Sequence, residues 1–320
     1  MQKQQVAEQQ NTTLQNYWGN TPEEEYHSAQ GIKSTKSFFT SARGLRLFTR
    51  SWQPLTNPPR AAVCMVHGYG NNINWTFQST PIFLAQNGFS CFALDMQGHG
   101  RSDGLPAFVP SVDDVVQDCI EFFDHATKSD EELKGVPRFL YGESMGGAIC
   151  ALIHLRDLEG FNGAILIAPM CKISDEVKPG WPVPEILGFF ARFAPTWPVV
   201  PAADLLEKSI KSPEKMAIAR MNPMRYNGKP RLGTVRELLR VTDYLSSRLC
   251  DVRIPFIVLH GSADTVTDPD VSRELYDKAQ SKDKTIKIYD GMMHSLLFGE
   301  TDENIEAVRS DILSWLNDRC

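Results

Sequence analysis

Residues 142–146 read Gly-Glu-Ser-Met-Gly, a G-x-S-x-G pentapeptide centred on Ser144. An apolar run, residues 138–141, comes directly before it, and a stretch rich in small residues, 144–155, follows. The pentapeptide alone occurs by chance. Between a strand and a helix it reads as a sharp turn that lifts a serine hydroxyl out of the chain. Glycines on both sides let backbone and helix approach without a Cβ clash. The N–H groups of the helix start face whatever charge forms near the serine. This is the chemistry of a nucleophile.

A serine hydroxyl is a poor nucleophile at neutral pH and needs a base, normally a histidine oriented by a carboxylate. One known chain order of that triad puts acid and base after the serine. Of seven histidines, His125 and His154 fall within helical patterns, His27 in the N-terminal approach, and His67 and His99 before the serine. His260 ends an apolar run. His294 lies in Gly-Met-Met-His-Ser, after the last alternating segment and before the final helical one, where the base belongs. For the acid, Gly261-Ser262-Ala263-Asp264 follows the run ending at His260, and Asp264 is preferred. Asp268 and Asp270 are rivals, but Asp268-Pro269 reads as a helix cap.

An oxyanion needs N–H donors aimed at it. Met145, after the serine, offers one. His67-Gly68-Tyr69-Gly70 follows an early apolar run, and Tyr69 N–H offers the second; the bland alternative is a glycine-rich turn. His67 reads as a brace for that loop. Residues 97–104, Gln-Gly-His-Gly-Arg-Ser-Asp-Gly, lack the G-x-x-x-x-G-K-S/T phosphate-loop pattern, and Arg101 and Asp103 read as loop-bracing residues. No dinucleotide fingerprint or metal-ligand spacing is found. A serine nucleophile of this kind needs no cofactor and no metal.

These groups must be held by a sheet. Strand-like segments are expected at 37–42 and 45–52, a hairpin around Arg43-Gly44, and then at 61–66, 90–94, 138–141, 163–168, 255–260 and 284–289. Helical spacing recurs at 82–86, 111–128, 144–155 and 305–316, with Ser111 as a cap. Strands alternating with helices imply an α/β fold: a mostly parallel sheet with helices on both faces. The rhythm breaks over 171–250, a helical insertion expected to act as a cap or lid. Its apolar stretch 181–201 contains Glu185, Arg192 and prolines, which exclude a membrane span. Packing on the main domain, a lipophilic pocket lining and peripheral membrane contact are all open for it. Residues 1–20 read as a flexible polar tail, and 21–170 with 251–320 as the core.

Composition narrows the class. The chain has 320 residues, 42% hydrophobic and 22% charged, with a net charge of -6. That supports a substantial core and argues against nucleic-acid binding, which needs a basic surface. No apolar run is long and uncharged enough for a transmembrane helix. Seven scattered cysteines without a C-x-x-C pair argue against a disulfide framework or zinc site. Cys64 and Cys91 read as buried hydrophobes. The glutamine-rich start has no apolar signal segment. A cytoplasmic protein is expected, with the sequons at Asn11 and Asn74 taken as chance. Composition leaves the oligomeric state open.

The residues quoted so far, with the strings at 98–104, 139–147, 228–231, 233–240 and 286–295, resemble the monoacylglycerol lipase family of α/β-hydrolases. The likeness runs from about residue 17 to near the C-terminus and is nearest the plant branch that includes caffeoylshikimate esterases. It implies an α/β-hydrolase fold with a helical cap. It implies Ser144 as nucleophile, Asp264 as acid and His294 as base, with Tyr69 and Met145 as oxyanion donors. The implied activity is ester hydrolysis through an acyl-enzyme. Monoacylglycerol or a related lipid ester is put first as the small-molecule partner, then a hydroxycinnamate ester, then lysophospholipid. Acyl transfer with the same triad and a non-catalytic ligand receptor are the readings outside hydrolysis. The tail and the segment 181–201 depart from the caffeoylshikimate enzymes.

Overall fold

A computed structural model describes residues 14–172, 183–200 and 204–320, with the backbone alone for 183–187. After helix α1 (Glu23–Ala29) come strands β1 (Ile32–Thr40), β2 (Arg46–Pro54) and β3 (Ala61–Val66). Next are α2 (Ser79–Gln86), β4 (Phe89–Leu94), α3 (Val112–Lys128), β5 (Arg138–Glu143), α4 (Met145–Arg156) and β6 (Gly163–Ile167). Among the described residues four helices follow: α5 (Val183–Phe193), α6 (Leu205–Ser209), α7 (Pro213–Arg220) and α8 (Leu232–Arg248). The chain ends with β7 (Phe256–Gly261), α9 (Pro269–Lys278), β8 (Lys284–Tyr289) and α10 (Asp302–Asn317).

The strands form one eight-stranded sheet in the order β1-β2-β4-β3-β5-β6-β7-β8. β1 and β2 run antiparallel to their neighbours, and the other pairs are parallel. The parallel strands read as apolar runs because both faces are covered: β3, β4 and β7 are buried at every position. One apolar cluster joins α3, α4 and α8 to the sheet, and another joins α2 and α10 to its opposite face. Cys64 and Cys91 are wholly buried, as their runs imply.

Several boundaries differ from the sequence reading. β1 begins at Ile32, whose buried side chain anchors the strand start. β5 continues through Glu143, because Gly142 and Glu143 still pair with Leu166 and Ile167. Ser144 lies outside the α4 helix, at its cap, with φ 55° and ψ -117°. Residues 1–13 of the expected tail lie outside the described residues. Nearer its end, Trp18 stacks on Tyr26 at 4.1 Å and Tyr17 meets Phe298 edge-on.

The four helices between β6 and β7 are tied to loops of the sheet. Val109 N–H and Val112 N–H donate to Thr234 Oγ1 and Glu237 Oε1 of α8. Arg231 donates to the carbonyls of Pro106 and Thr196. Trp75 Nε1 donates to the Ile218 carbonyl, Tyr226 N–H to Gly70 O, and Ser295 N–H to Ser209 O. The insertion is thereby bonded to the loops that carry Tyr69 and His294. Part of the apolar stretch 181–201 lies outside the described residues. Beyond it, Phe189, Phe190, Phe193 and Trp197 are more than half exposed. Among the described residues no helix is long and apolar enough to cross a membrane.

Candidate active site

The turn at Ser144 follows from the sizes of its neighbours. A Cβ on Gly142 would lie 2.3 Å from Gly146 O, and one on Gly146 would lie 2.2 Å from Val66 O. Only glycine lets β5, α4 and β3 close up this far. Ser144 pays for the tight turn with a left-handed backbone, φ 55°, which a non-glycine residue keeps only when its surroundings enforce it. Two bonds do so: Ser144 N–H donates to Ile167 O at 2.9 Å, and Met170 N–H to Ser144 O at 3.0 Å.

Asp264 and His294 come from the loops after β7 and β8, adjacent strands in the sheet. His294 Nδ1 lies 2.6 Å from Asp264 Oδ2. The same oxygen accepts from Thr267 Oγ1 at 2.9 Å and from His260 Nε2 at 3.0 Å. Asp264 Oδ1 accepts from the backbone N–H groups of Val266 and Thr267. Burial alone would raise the carboxyl's pKa, but the bonds from His260 and His294 outweigh it. Asp264 is held well below the usual carboxylate range. With Nδ1 engaged by the carboxylate, His294 presents Nε2 for other work.

Ser144 and His294 line one cavity of about 650 Å³, with Tyr69, Glu143, Leu205 and Leu297 among its other walls. No hydrogen bond joins Ser144 Oγ to His294 among the described residues. Such bonds are commonly long without substrate and tighten when it seats. Nor does an acceptor among the described residues take the N–H of Tyr69 or of Met145. Tyr69 lines the same cavity as Ser144, and Met145 directly follows that serine.

The loop bearing Tyr69 is braced as well. His67 is fully buried; its Nε2 accepts from Met96 N–H and its Nδ1 pairs with Gly68 O. Burial and the neighbouring His99 push its pKa down to about 3, which keeps it neutral. Arg101 and Asp103 do brace loop 97–104, but separately: Arg101 lies over Phe48 and Asp103 accepts from Arg46 N–H. The hub is Asp95, a residue sequence reasoning missed. Fully buried, it accepts from Ile73 N–H and Arg101 N–H, joining two loops. No local pattern marks it; its place at the end of β4 is the one available signal.

Other candidates have structural work. Asp268 caps α9 by accepting from Asp270 N–H. His154 Nε2 accepts from Arg253 N–H and Ile254 N–H. Asn74 Oδ1 accepts from Arg50, and its amide nitrogen is buried. The sequence marks His260 only as a strand end. In fact it is wholly buried between Ser272 Oγ, at 2.7 Å, and Asp264.

Known proteins share this architecture. Residues 57–302 match the serine aminopeptidase S33 family. The chain is 42% identical to caffeoylshikimate esterase of Arabidopsis thaliana, over 95% of this chain and 91% of that one. It is 30% identical to human monoglyceride lipase, over 87% and 89%. The crystal structure of a soluble variant of the Saccharomyces cerevisiae monoglyceride lipase, with a substrate analogue, superposes with a TM-score of 0.77. It shares 25% identity and covers 89% of this chain and 94% of that one. The chain thus belongs to the serine aminopeptidase S33 family of α/β-hydrolases, as a serine carboxylic ester hydrolase of the caffeoylshikimate esterase and monoglyceride lipase type.

Proposed function

We propose that Ser144 is the nucleophile, His294 the base and Asp264 the acid, with the N–H groups of Tyr69 and Met145 forming the oxyanion hole. Ser144 Oγ attacks the ester carbonyl while His294 Nε2 takes its proton, and the carbonyl oxygen gathers its charge against the two N–H groups. His294 returns the proton to the leaving alcohol. Water, deprotonated by His294, then releases the acid and frees Ser144. Asp264 holds the imidazole tautomer and stabilises the imidazolium. The carrying observation is Ser144 on its strained turn in the same cavity as a His294 tied to a buried carboxylate.

For the substrate, sequence reasoning put monoacylglycerol first. The 42% identity to a caffeoylshikimate esterase, against 30% to a monoglyceride lipase, now favours a hydroxycinnamate ester. The apolar wall of Leu205, Leu206 and Leu297 keeps the lipid ester as the second reading. Helices α5–α8 serve as the cap over the cavity. A panel of caffeoylshikimate, monooleoylglycerol, lysophosphatidylcholine and p-nitrophenyl acetate, compared by kcat/KM, decides between them. The phenolic ester should lead, and a large preference for the glyceride would reverse the order. An ester product that rises with added alcohol would mark acyl transfer in place of hydrolysis.

The exposed aromatic face of Phe189, Phe190, Phe193 and Trp197 gives the cap a peripheral membrane contact. Vesicle co-sedimentation should fall when Phe189 and Phe193 become Ser; unchanged sedimentation would contradict it. The free thiols, Cys250 and Cys320 exposed among them, favour the cytoplasm. Recovery of a tagged protein in the secreted fraction would contradict that placement.

A further inference from the structure

Glu143 stands next to Ser144 and lines the same cavity. One carboxylate oxygen, Oε1, accepts from Tyr141 Oη at 2.5 Å. Among the described residues Oε2 has no partner, and no lysine or arginine pairs with the group. Arg309, which acts on neighbouring Tyr141, lies over the Phe83 ring and donates to the Ser79 carbonyl. Burial pushes the carboxyl up from its usual range, against the bond from Tyr141. Ser79 lines the cavity too. It is 6% exposed, and its Oγ is buried with no hydrogen-bond partner. Thr76 and Thr80 add polar groups to the lining, to which Leu205, Leu206 and Leu297 contribute apolar ones.

Buried polar atoms are ordinarily hydrogen-bonded, and one left unpaired carries a desolvation penalty. Neither Glu143 nor Ser79 is needed to close the turn at Ser144, which the glycines and backbone bonds already hold. Glu143 is half-buried on the wall of the cavity, and Ser79, whose Oγ is closed off from solvent, reaches that space by a turn about χ1. An ionised Glu143 accepts a hydroxyl proton, and a neutral one donates to a hydroxyl oxygen. Ser79 Oγ can do either.

We propose that Glu143 and Ser79 form a subsite that reads a hydroxyl group on the ester substrate, with Glu143 its specificity-determining residue. The proposal rests on the reading of Ser144 as the nucleophile. The hydroxyl can belong to the acyl group, as in a phenolic acid, or to the alcohol, as in a polyol. A plain hydrocarbon packed against that wall strips water from Glu143 Oε2 and gives it no partner, so the site selects against it.

The test uses the whole protein and two pairs of esters that differ only in hydroxyls. Methyl caffeate against methyl cinnamate probes the acyl side, and glyceryl monobutyrate against propyl butyrate probes the alcohol side. Wild type should prefer the hydroxylated member of one pair by about tenfold to a hundredfold in kcat/KM, the range of one hydrogen bond to a charged group. Glu143→Gln should cut that preference at least tenfold. Ser79→Ala should cut it by about threefold to tenfold, and it carries the test if Glu143→Gln does not fold. The pair that responds identifies which side of the ester is read.

An unchanged preference in folded Glu143→Gln would overturn the subsite. So would an equal loss on both members of each pair, which would instead make Glu143 a partner of the His294 charge. Turnover of p-nitrophenyl acetate separates the two readings. If wild type hydrolyses it but shows no preference in either pair, the subsite alone fails. If Ser144→Ala hydrolyses it as wild type does, the nucleophile reading fails and takes the subsite with it.

Discussion

Replacing Asp264 by Asn removes one charge and keeps the side chain's size. In the native protein Asp264 Oδ2 meets His294 Nδ1, His260 Nε2 and Thr267 Oγ1, while Oδ1 meets two backbone N–H groups. An amide oxygen left on the backbone donors turns an NH2 group toward three donors. His294 can satisfy that NH2 only by accepting at Nδ1, which moves its proton to Nε2, the nitrogen that receives the Ser144 proton in the proposed mechanism. The counter-charge to the imidazolium is lost as well. Charge centres roughly 4 Å apart at an effective dielectric of about 20 attract by about 4 kcal/mol. At about 1.4 kcal/mol per decade that is roughly three decades of rate. With the wrong tautomer added, kcat should fall by about 10³ to 10⁴, with KM changed little. The assay is steady-state hydrolysis of p-nitrophenyl acetate, with circular dichroism to establish folding. Asp268→Asn is the control, because asparagine caps α9 as well as aspartate does and should keep turnover within about twofold. A folded Asp264→Asn losing less than tenfold would refute the reasoning, and an equal loss in Asp268→Asn would move the acid to α9.

Two further perturbations test the supports of the site. His260→Phe removes one donor to a charged carboxylate, worth about 1.5–3 kcal/mol, so kcat should drop roughly tenfold to a hundredfold at nearly constant KM. His260→Gln, which can still donate to Asp264, should recover most of it; equal kcat in the two variants would make His260 mere packing. Burial pushes the pKa of Asp95 up to about 7, against the bonds from Ile73 and Arg101. The folded chain therefore holds a proton that the unfolded chain releases near pH 4, and stability falls as pH rises from about 4 to about 7, then levels. Urea unfolding at pH 5 and pH 8 should show that fall in wild type, and a smaller one in Asp95→Asn. Equal falls would show that Asp95 does not carry it.

Much of this was legible because local signals set it. Ser144 stands out because the G-x-S-x-G run needs small residues at the crowded closure, where a Cβ would meet backbone within 2.3 Å. His294 and Asp264 could be picked by chain order, since each follows a strand whose apolar run is plain. The parallel strands were visible because they are buried on both faces. What stayed hidden depends on convergence across long stretches of chain. Asp95 reaches Ile73, Trp75 reaches Ile218, and Val112 reaches Glu237 across 125 positions. No periodicity announces such partners. Glu143 is hidden differently: it occupies the free position of the pentapeptide, and only the folded chain places it on the cavity wall. Tyr17 and Trp18 read as part of a polar tail because their ring partners lie on α1 and beyond β8.

The central claim is that Ser144 carries the acyl group. A fluorophosphonate probe reacts with an activated serine, and peptide mass mapping locates the adduct. Wild type should take up one label per chain, on the peptide containing Ser144, with ester turnover lost in step. Ser144→Ala should stay unlabelled and folded, and its turnover of p-nitrophenyl acetate should fall by about 10³ or more. A label on another serine, or retained turnover in folded Ser144→Ala, would contradict the account.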